Sequence, residues 1–143
     1  MASTTVIKTT IEPYVCHWLA AQYPGHIFKE RDIFGFKYDA VSEDGSIVGE
    51  ILCNRPKTRT GNENTGGVRK ALQNVSGLKQ SPGNCKKIMV FTDVEFMELI
   101  RRRASRFGIE SISMMVCKLP PKLESLLTDM LDRASREQRA AGE

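Results

Sequence analysis

Two β-rich segments joined by Asp44 and Gly45 constrain the fold of this chain more than any other feature. The first segment covers residues 36–41 and the second covers residues 46–53. Asp and Gly tolerate the positive φ angles of a type I′ turn, and this dipeptide between β-rich runs is a strong hairpin signal. The sequence therefore predicts two antiparallel strands joined by a two-residue turn.

The register of that hairpin brings two carboxylates together. If Glu43 pairs with Ser46 across the turn, the antiparallel register places Asp39 opposite Glu50 and Lys37 opposite Leu52. All four of these side chains then lie on one face of the sheet. Like charges directly opposite each other destabilise a sheet, and a divalent cation between two oxygen ligands would remove that repulsion. The alternative is that both carboxylates are solvated on an exposed face. Because the second segment is apolar on both faces, we favour the metal site, which a one-residue change in turn length would abolish.

The composition sets looser limits on the class of protein. A chain of 143 residues with 41% hydrophobic content is typical of one globular domain. The net charge of +4 and the pI near 9.0 are compatible with an anionic partner. The cysteines Cys16, Cys53, Cys85 and Cys117 lack the paired spacing of a zinc site or a disulfide framework, which favours a cytoplasmic setting. No apolar run approaches membrane-spanning length, so we expect no membrane partner.

Helices and strands alternate along the chain. Thr9 and Glu12 have the spacing of a capping box, which predicts a helix from Thr9 to about Tyr23. A first strand is predicted at residues 26–29, before the hairpin. After a polar, basic loop over 54–67, the apolar pattern predicts a helix over 68–78, a strand over 87–92, a helix over 94–107 and a strand over 109–117. A strand, helix, strand order indicates a parallel crossover.

The last segment is predicted to be an amphipathic helix. Beyond Pro120 and Pro121, apolar residues recur at helical spacing: Leu123, Leu126, Leu127, Met130, Leu131 and Ala134. We therefore divide the chain into a core domain over residues 1–119 and a C-terminal helix over residues 120–143. Such helices usually pack on their own domain, and the alternative is a homodimer formed through this helix.

This order of elements resembles the core of the PD-(D/E)XK nuclease superfamily, the restriction-endonuclease-like fold. In that family, acidic residues on the second and third core strands bind Mg²⁺, and Asp39 and Glu50 match these two positions. Glu12 matches a first-helix acidic residue of some members, and Gln73 matches a second-helix polar residue near the substrate. The resemblance implies an α/β fold whose mixed central sheet is flanked by helices. It also implies a site for Mg²⁺ or Mn²⁺ on Asp39, Glu50 and Glu12.

The chain departs from the family at one catalytic position. Leu52 stands where the E-x-K tripeptide has its lysine, and leucine can neither donate a proton nor orient water. Lys37, which the predicted register places opposite Leu52, is our candidate for a displaced catalytic lysine beside Asp39 and Glu50. The alternative for Lys37 is a surface ion pair with Asp39, which would contribute little to stability.

Basic residues after the Glu50 strand indicate an anionic substrate. Contacts to a nucleic-acid backbone are predicted for Arg55, Lys57, Arg59, Arg69 and Lys70, with Gln73 near the substrate. The sequence thus predicts a cytoplasmic, Mg²⁺-dependent DNA endonuclease. Two alternatives stay open: a catalytically impaired nuclease fold that binds DNA, favoured by Leu52, and a protein-interaction subunit, favoured by the C-terminal helix.

Overall fold

A five-stranded mixed sheet lies at the centre of the computed structural model, which describes residues 5–58 and 60–142, with side chains described as far as residue 134. The strands are β1 (Phe28–Ile33), β2 (Phe36–Ser42), β3 (Ile47–Leu52), β4 (Lys86–Phe91) and β5 (Ile112–Val116), and they lie side by side in chain order. The β1–β2 and β2–β3 pairs are antiparallel, whereas the β3–β4 and β4–β5 pairs are parallel. The predicted α/β class, with an antiparallel meander joined to parallel strands, is confirmed.

Within the described residues, four helices cover the two faces of this sheet. They are α1 (Glu12–Gln22), preceded by a π-helical segment (Ile7–Ile11), then α2 (Thr65–Lys79), α3 (Val94–Ala104) and α4 (Pro121–Gly142). The face packed against α2 and α3 is here called the α2 face, and its core includes Val48, Leu52, Ala71 and Phe96. The face packed against α1 and α4 is called the α1 face, and its core includes Ala40, Ile51, Leu19 and Leu127. The middle strand β3 is buried on both faces, which explains its continuous apolar run.

The turn between β2 and β3 has a different geometry from the one predicted. Ser42 O accepts a hydrogen bond from the Gly45 N–H at 3.0 Å, and residues 43–46 connect the strands. Gly45 has φ of +74°, but among the described non-glycine residues only Phe34 has a positive φ, so the type I′ prediction at Asp44 is wrong. The connection is two residues longer than predicted, and a change of two residues leaves each side chain on the same face of the sheet. The ladder accordingly pairs Ala40 with Gly49, in the predicted register.

The two-residue hairpin turn of this protein lies between β1 and β2 instead. Phe34 and Gly35 have φ of +56° and +82°, and the flanking residues Ile33 and Phe36 pair directly, as in a type I′ turn. Phe is a rare residue at positive φ, so the sequence carried little signal for this turn. The predicted first strand over residues 26–29 is consequently too short and begins too early.

Side chains cap the helices at positions that the sequence analysis missed. Thr9 does not cap a helix, because the chain is already helical and its Oγ1 donates to Thr5 O at 2.7 Å. Asn64 caps α2 by accepting from the Gly67 N–H at 3.0 Å, and Asp93 caps α3. The helix predicted from residue 68 therefore begins three residues earlier, at Thr65.

The terminal helix α4 packs on its own sheet. Leu127 and Met130 are buried in the α1-face core, whereas Leu126 is 40% exposed. Arg55 joins the helix to the rest of the protein through Glu124 and Thr128. Across the residues that the structure describes, no helix combines the length and apolar character needed to span a bilayer.

Candidate metal centre

A β-bulge in β2 determines where Asp39 points. The pairing of β1 with β2 shifts by one residue, so that Asp39 and Ala40 together lie opposite Glu30. Tyr38 packs in the α2-face core, whereas Ala40 packs in the α1-face core. A bulge of this kind breaks the alternation of side chains and re-aims one of them, and bulges are over-represented next to active sites.

β2 and β3 separate immediately beyond the bulge. Their ladder ends at Ala40 and Gly49, and the Asp39 carboxylate occupies the gap by accepting a hydrogen bond from the Ile51 N–H at 2.9 Å. A side-chain acceptor thus replaces a backbone acceptor. This bond holds Asp39 between the two strands.

A cavity of about 270 Å³ opens where the strands separate. Its walls carry the three predicted carboxylates, Glu12, Asp39 and Glu50, and three lysines, Lys8, Lys37 and Lys70. The carboxylates come from α1 and from the hairpin strands β2 and β3, and α1 reaches the hairpin only in the folded chain.

Glu50 is the most isolated of these carboxylates. Its neighbours in alternation, Val48 and Leu52, pack in the α2-face core, so its side chain leaves β3 on that face. It is 8% exposed, and no ion pair reaches it within the described part of the chain. Burial, and then the charge of Asp39, raise the pKa of Glu50 to about 8, although the Asp39 backbone amide opposes the shift. Perturbed carboxylates in a cavity are typical of functional sites.

Three carboxylates meet beside this cavity, because Glu12 and Asp39 also line a neighbouring cavity of about 630 Å³ that contains Glu30. One oxygen each from Glu12, Glu30 and Asp39 lie within 4.8 Å of one another. Burial, followed by the charge of Asp39, raises the pKa of Glu12 to about 7, although Lys8 lowers it. Burial also raises the pKa of Asp39, although the Ile51 amide and Lys8 favour its charged form. The folded protein therefore holds these two acids against a free-energy cost of ionisation.

These residues fit a hard divalent cation. The donors are carboxylate oxygens, which Mg²⁺, Mn²⁺ and Ca²⁺ prefer, and the 4.8 Å spread is about twice a metal–oxygen distance. Glu50 lies outside this three-carboxylate group, although it lines the same cavity and its pKa responds to the charge of Asp39. Asp39 is thus the residue shared by both parts of the site.

Lys37 does not lie opposite Leu52 as predicted, because the β2–β3 ladder ends at Ala40 and Gly49, although both residues line the cavity. Because of the bulge, the side chain of Lys37 leaves β2 on the face opposite to Tyr38, whereas Leu52 is 3% exposed and packs in the same core as Tyr38. The Lys37 Nζ lies 3.4 Å from Glu30, with its side chain 60% exposed. Lys37 still lines the cavity with Asp39.

A second lysine approaches the site from the other face. Lys70 lies in α2 and lines the cavity with Glu50, and its charge lowers the pKa of both Asp39 and Glu50. Among the described residues it has no ion-pair partner within 4.0 Å. Asn74, one helical turn further along, lines the same wall.

The remaining predicted nucleic-acid contacts divide into separate regions. Arg69 and Gln73 line a different groove with Arg103, so Gln73 lies away from the carboxylates. Arg55 is held by Glu124, and Lys57 lines a groove that also reaches Lys70. Arg59 lies outside the described residues.

Two residues at the site, Glu30 and Lys8, were not predicted from the sequence. Glu30 falls just beyond the predicted first strand, and Lys8 precedes the predicted first helix. A hairpin register that included the Phe34-Gly35 turn would have placed Glu30 beside Asp39. Nothing in the local sequence marks Lys8.

Comparison of the chain with protein-family models, with curated proteins and with solved structures finds no match.

Proposed function

We propose that this protein is a divalent-metal-dependent phosphodiesterase that cleaves DNA, built on a restriction-endonuclease-like core. The observation that carries the proposal is the cavity between the separating strands β2 and β3, where Asp39 and Glu50 are both held with raised pKa values. Acids that are costly to ionise alone are expected where a cation completes the site.

Asp39 and Glu12 would hold the metal beside Glu30, and Glu50, which lines the same cavity as Asp39, would be the further ligand that the resemblance implies. A bound Mg²⁺ or Mn²⁺ would neutralise charge on the phosphoryl oxygens and lower the pKa of an attacking water. Asp39 is oriented for this role by the Ile51 amide. Val48 and Leu52, two residues before and after Glu50 in β3, pack in the α2-face core.

A lysine is needed to orient water or to neutralise the developing charge, and Leu52 cannot do so. Lys37 is the candidate predicted from the sequence, but it is paired with Glu30. Lys70 is better placed, because its charge lowers the pKa of Glu50 and it has no ion-pair partner within 4.0 Å among the described residues. Lys57 would contact the phosphate backbone in the adjoining groove.

The second candidate function is a DNA-binding module that has lost catalysis. Leu52 favours it, because this side chain is buried in the α2-face core, where the family has its lysine. The two functions differ in metal-dependent cleavage but share salt-dependent DNA binding.

The deciding experiment incubates purified protein with supercoiled plasmid, linear duplex and branched DNA, with Mg²⁺, with Mn²⁺ or with EDTA. Cleavage that needs the metal and is lost in Asp39→Asn supports the nuclease. Metal-independent DNA binding without cleavage of any substrate supports the binding module. A protein that neither cleaves nor binds DNA would contradict both proposed functions.

A further inference from the structure

An ammonium group already sits among the carboxylates of the cavity. The Lys8 Nζ hydrogen-bonds Glu30 and lies 3.6 Å from Glu12 and 3.9 Å from Asp39. These three acids are the group whose oxygens lie within 4.8 Å of one another. Lys8 therefore occupies the position from which one cation contacts all three.

Lys8 is held there by charge rather than by packing. Its side chain is 47% exposed, and it belongs to the π-helical segment (Ile7–Ile11) at the edge of the cavity. Residues in such wide helical turns are frequent at functional sites. A long side chain at the edge of a cavity can turn toward solvent at the cost of partly exposed ion pairs, each of which is weak.

Glu50 supplies an independent sign that the cavity is incomplete. It is nine-tenths buried, lines the same cavity, and has no ion-pair partner within the described residues. Lys8 thus neutralises the group of Glu12, Glu30 and Asp39, whereas Glu50 has only the more distant charge of Lys70, which forms no ion pair with it within 4.0 Å among the described residues. A buried carboxylate without a cation is costly, so a second positive charge is expected between Asp39 and Glu50.

We propose that Lys8 is a built-in competitor of the divalent cation: its ammonium occupies the carboxylate group of Glu12, Glu30 and Asp39, and the cation binds by displacing it. The proposal rests on the metal site of the proposed function, but not on cleavage. One doubly charged ion near Asp39 would interact both with the group of Glu12, Glu30 and Asp39 and with Glu50, whereas the Lys8 ammonium interacts only with that group. Glu30, released from Lys8, becomes an additional ligand or remains paired with Lys37.

The test is Mn²⁺ titration by calorimetry, using MnCl₂ alone, of the wild type and of Lys8→Met. It is done at pH 8.5, where protons compete with the metal less than they do at neutral pH. Lys8→Met should bind Mn²⁺ about three- to tenfold more tightly, the range expected when one or two partly exposed ion pairs are removed. Without metal, the same variant should melt at a lower temperature, and Mn²⁺ should raise its melting temperature by more than it raises that of the wild type.

Two variants control for charge and for position. Lys8→Arg keeps a cation in place and should bind Mn²⁺ as weakly as the wild type. Lys29→Met removes the same charge from the neighbouring strand, where Lys29 is exposed and not paired with these acids, and should change affinity less than Lys8→Met.

Unchanged or weaker Mn²⁺ binding in Lys8→Met would overturn the proposal, as would a lack of Mn²⁺ binding in both proteins. The fate of the proposed function is read separately from cleavage. Tighter binding in Lys8→Met without any cleavage supports the competitor and rejects the nuclease, whereas metal-dependent cleavage with equal affinities does the reverse.

Discussion

The two ends of the β2–β3 hairpin carry acidic groups in opposite electrostatic states. At the closed end, Asp44 accepts hydrogen bonds from Ser42 and Ser46, and Glu43 accepts one from the Ile27 N–H. These bonds lower the pKa of both exposed acids. At the open end, burial raises the pKa of Asp39 and of Glu50.

The difference shows which acids stabilise the fold. The closed end also contains a group of potential ligands, because His26 Nδ1 lies 3.2 Å from Glu43 and 3.8 Å from Asp44. Its acids are already satisfied by backbone and hydroxyl donors, so they stabilise the turn. At the open end, donors are too few to compensate the charge. Local hydrogen bonding, rather than the number of acids, therefore separates the structural cluster from the candidate functional one.

The largest effect that tests this contrast is on cleavage. Asp39→Asn and Glu50→Gln should each abolish Mg²⁺-dependent cleavage, because each removes an anionic ligand at almost constant volume. Asp44→Asn at the closed end is the matched control, and it should keep cleavage while lowering the melting temperature. Plasmid nicking assays and thermal melts measure both quantities. Full activity in either open-end variant would remove the metal site.

A smaller effect distinguishes the two candidate lysines. Lys70→Met should lower the cleavage rate by about 10²-fold, the usual range for a positioned acid–base or electrostatic group, with Mn²⁺ affinity retained. Lys37→Met should lower the cleavage rate by less than Lys70→Met does, because the bulge directs Lys37 to Glu30. A larger decrease in Lys37→Met would restore the assignment made from the sequence.

The raised pKa values at the candidate metal centre should make the stability of the metal-free protein depend on pH. Glu12 and Glu50 bind a proton more tightly in the folded protein than in the unfolded chain, where their pKa is near 4.5. Between that value and about 8 the folded state binds more protons, so the free energy of unfolding falls as the pH rises through this range. Urea denaturation in EDTA at pH 5, 7 and 9 measures this fall.

Glu50→Gln should make the free energy of unfolding depend less on pH, since glutamine does not titrate. In the wild type, Mn²⁺ in place of EDTA should restore stability at pH 9. Metal-free stability that rises from pH 5 to pH 9 would contradict the raised pKa values at the open end.

The smallest effect concerns the loop after β3. Neutralising Arg55, Lys57 and Arg59 together should weaken DNA binding across all sequences and flatten its salt dependence, by just under one unit of log–log slope for each phosphate that the variant no longer neutralises. Arg55→Ala alone should contribute least, because Glu124 already neutralises this guanidinium. Fluorescence anisotropy over a series of salt concentrations gives the slope. An unchanged slope would leave Arg69 and Lys70 as the candidates.

Much of the framework could be predicted from local patterns. The order of helices and strands and the parallel crossover from β4 through α3 to β5 agree with the predictions. The boundaries were less accurate, because Asn64 and Asp93 cap helices from positions that carry no apolar periodicity. The residues of the site were partly predictable, since Asp39, Glu50 and Glu12 line one cavity. That they bind a metal stays a prediction.

Side-chain alternation and turn chemistry are local properties, so the pattern of residues was enough to predict the α/β class, the β2–β3 register and two acids near one end of that hairpin. The direction in which those acids point could be known only from the folded chain. The bulge opposite Glu30, the gap that Asp39 fills and the approach of Lys8 and Lys70 depend on pairing between segments that are distant in the chain. Such contacts are set by how the strands and helices pack, and no local pattern encodes them.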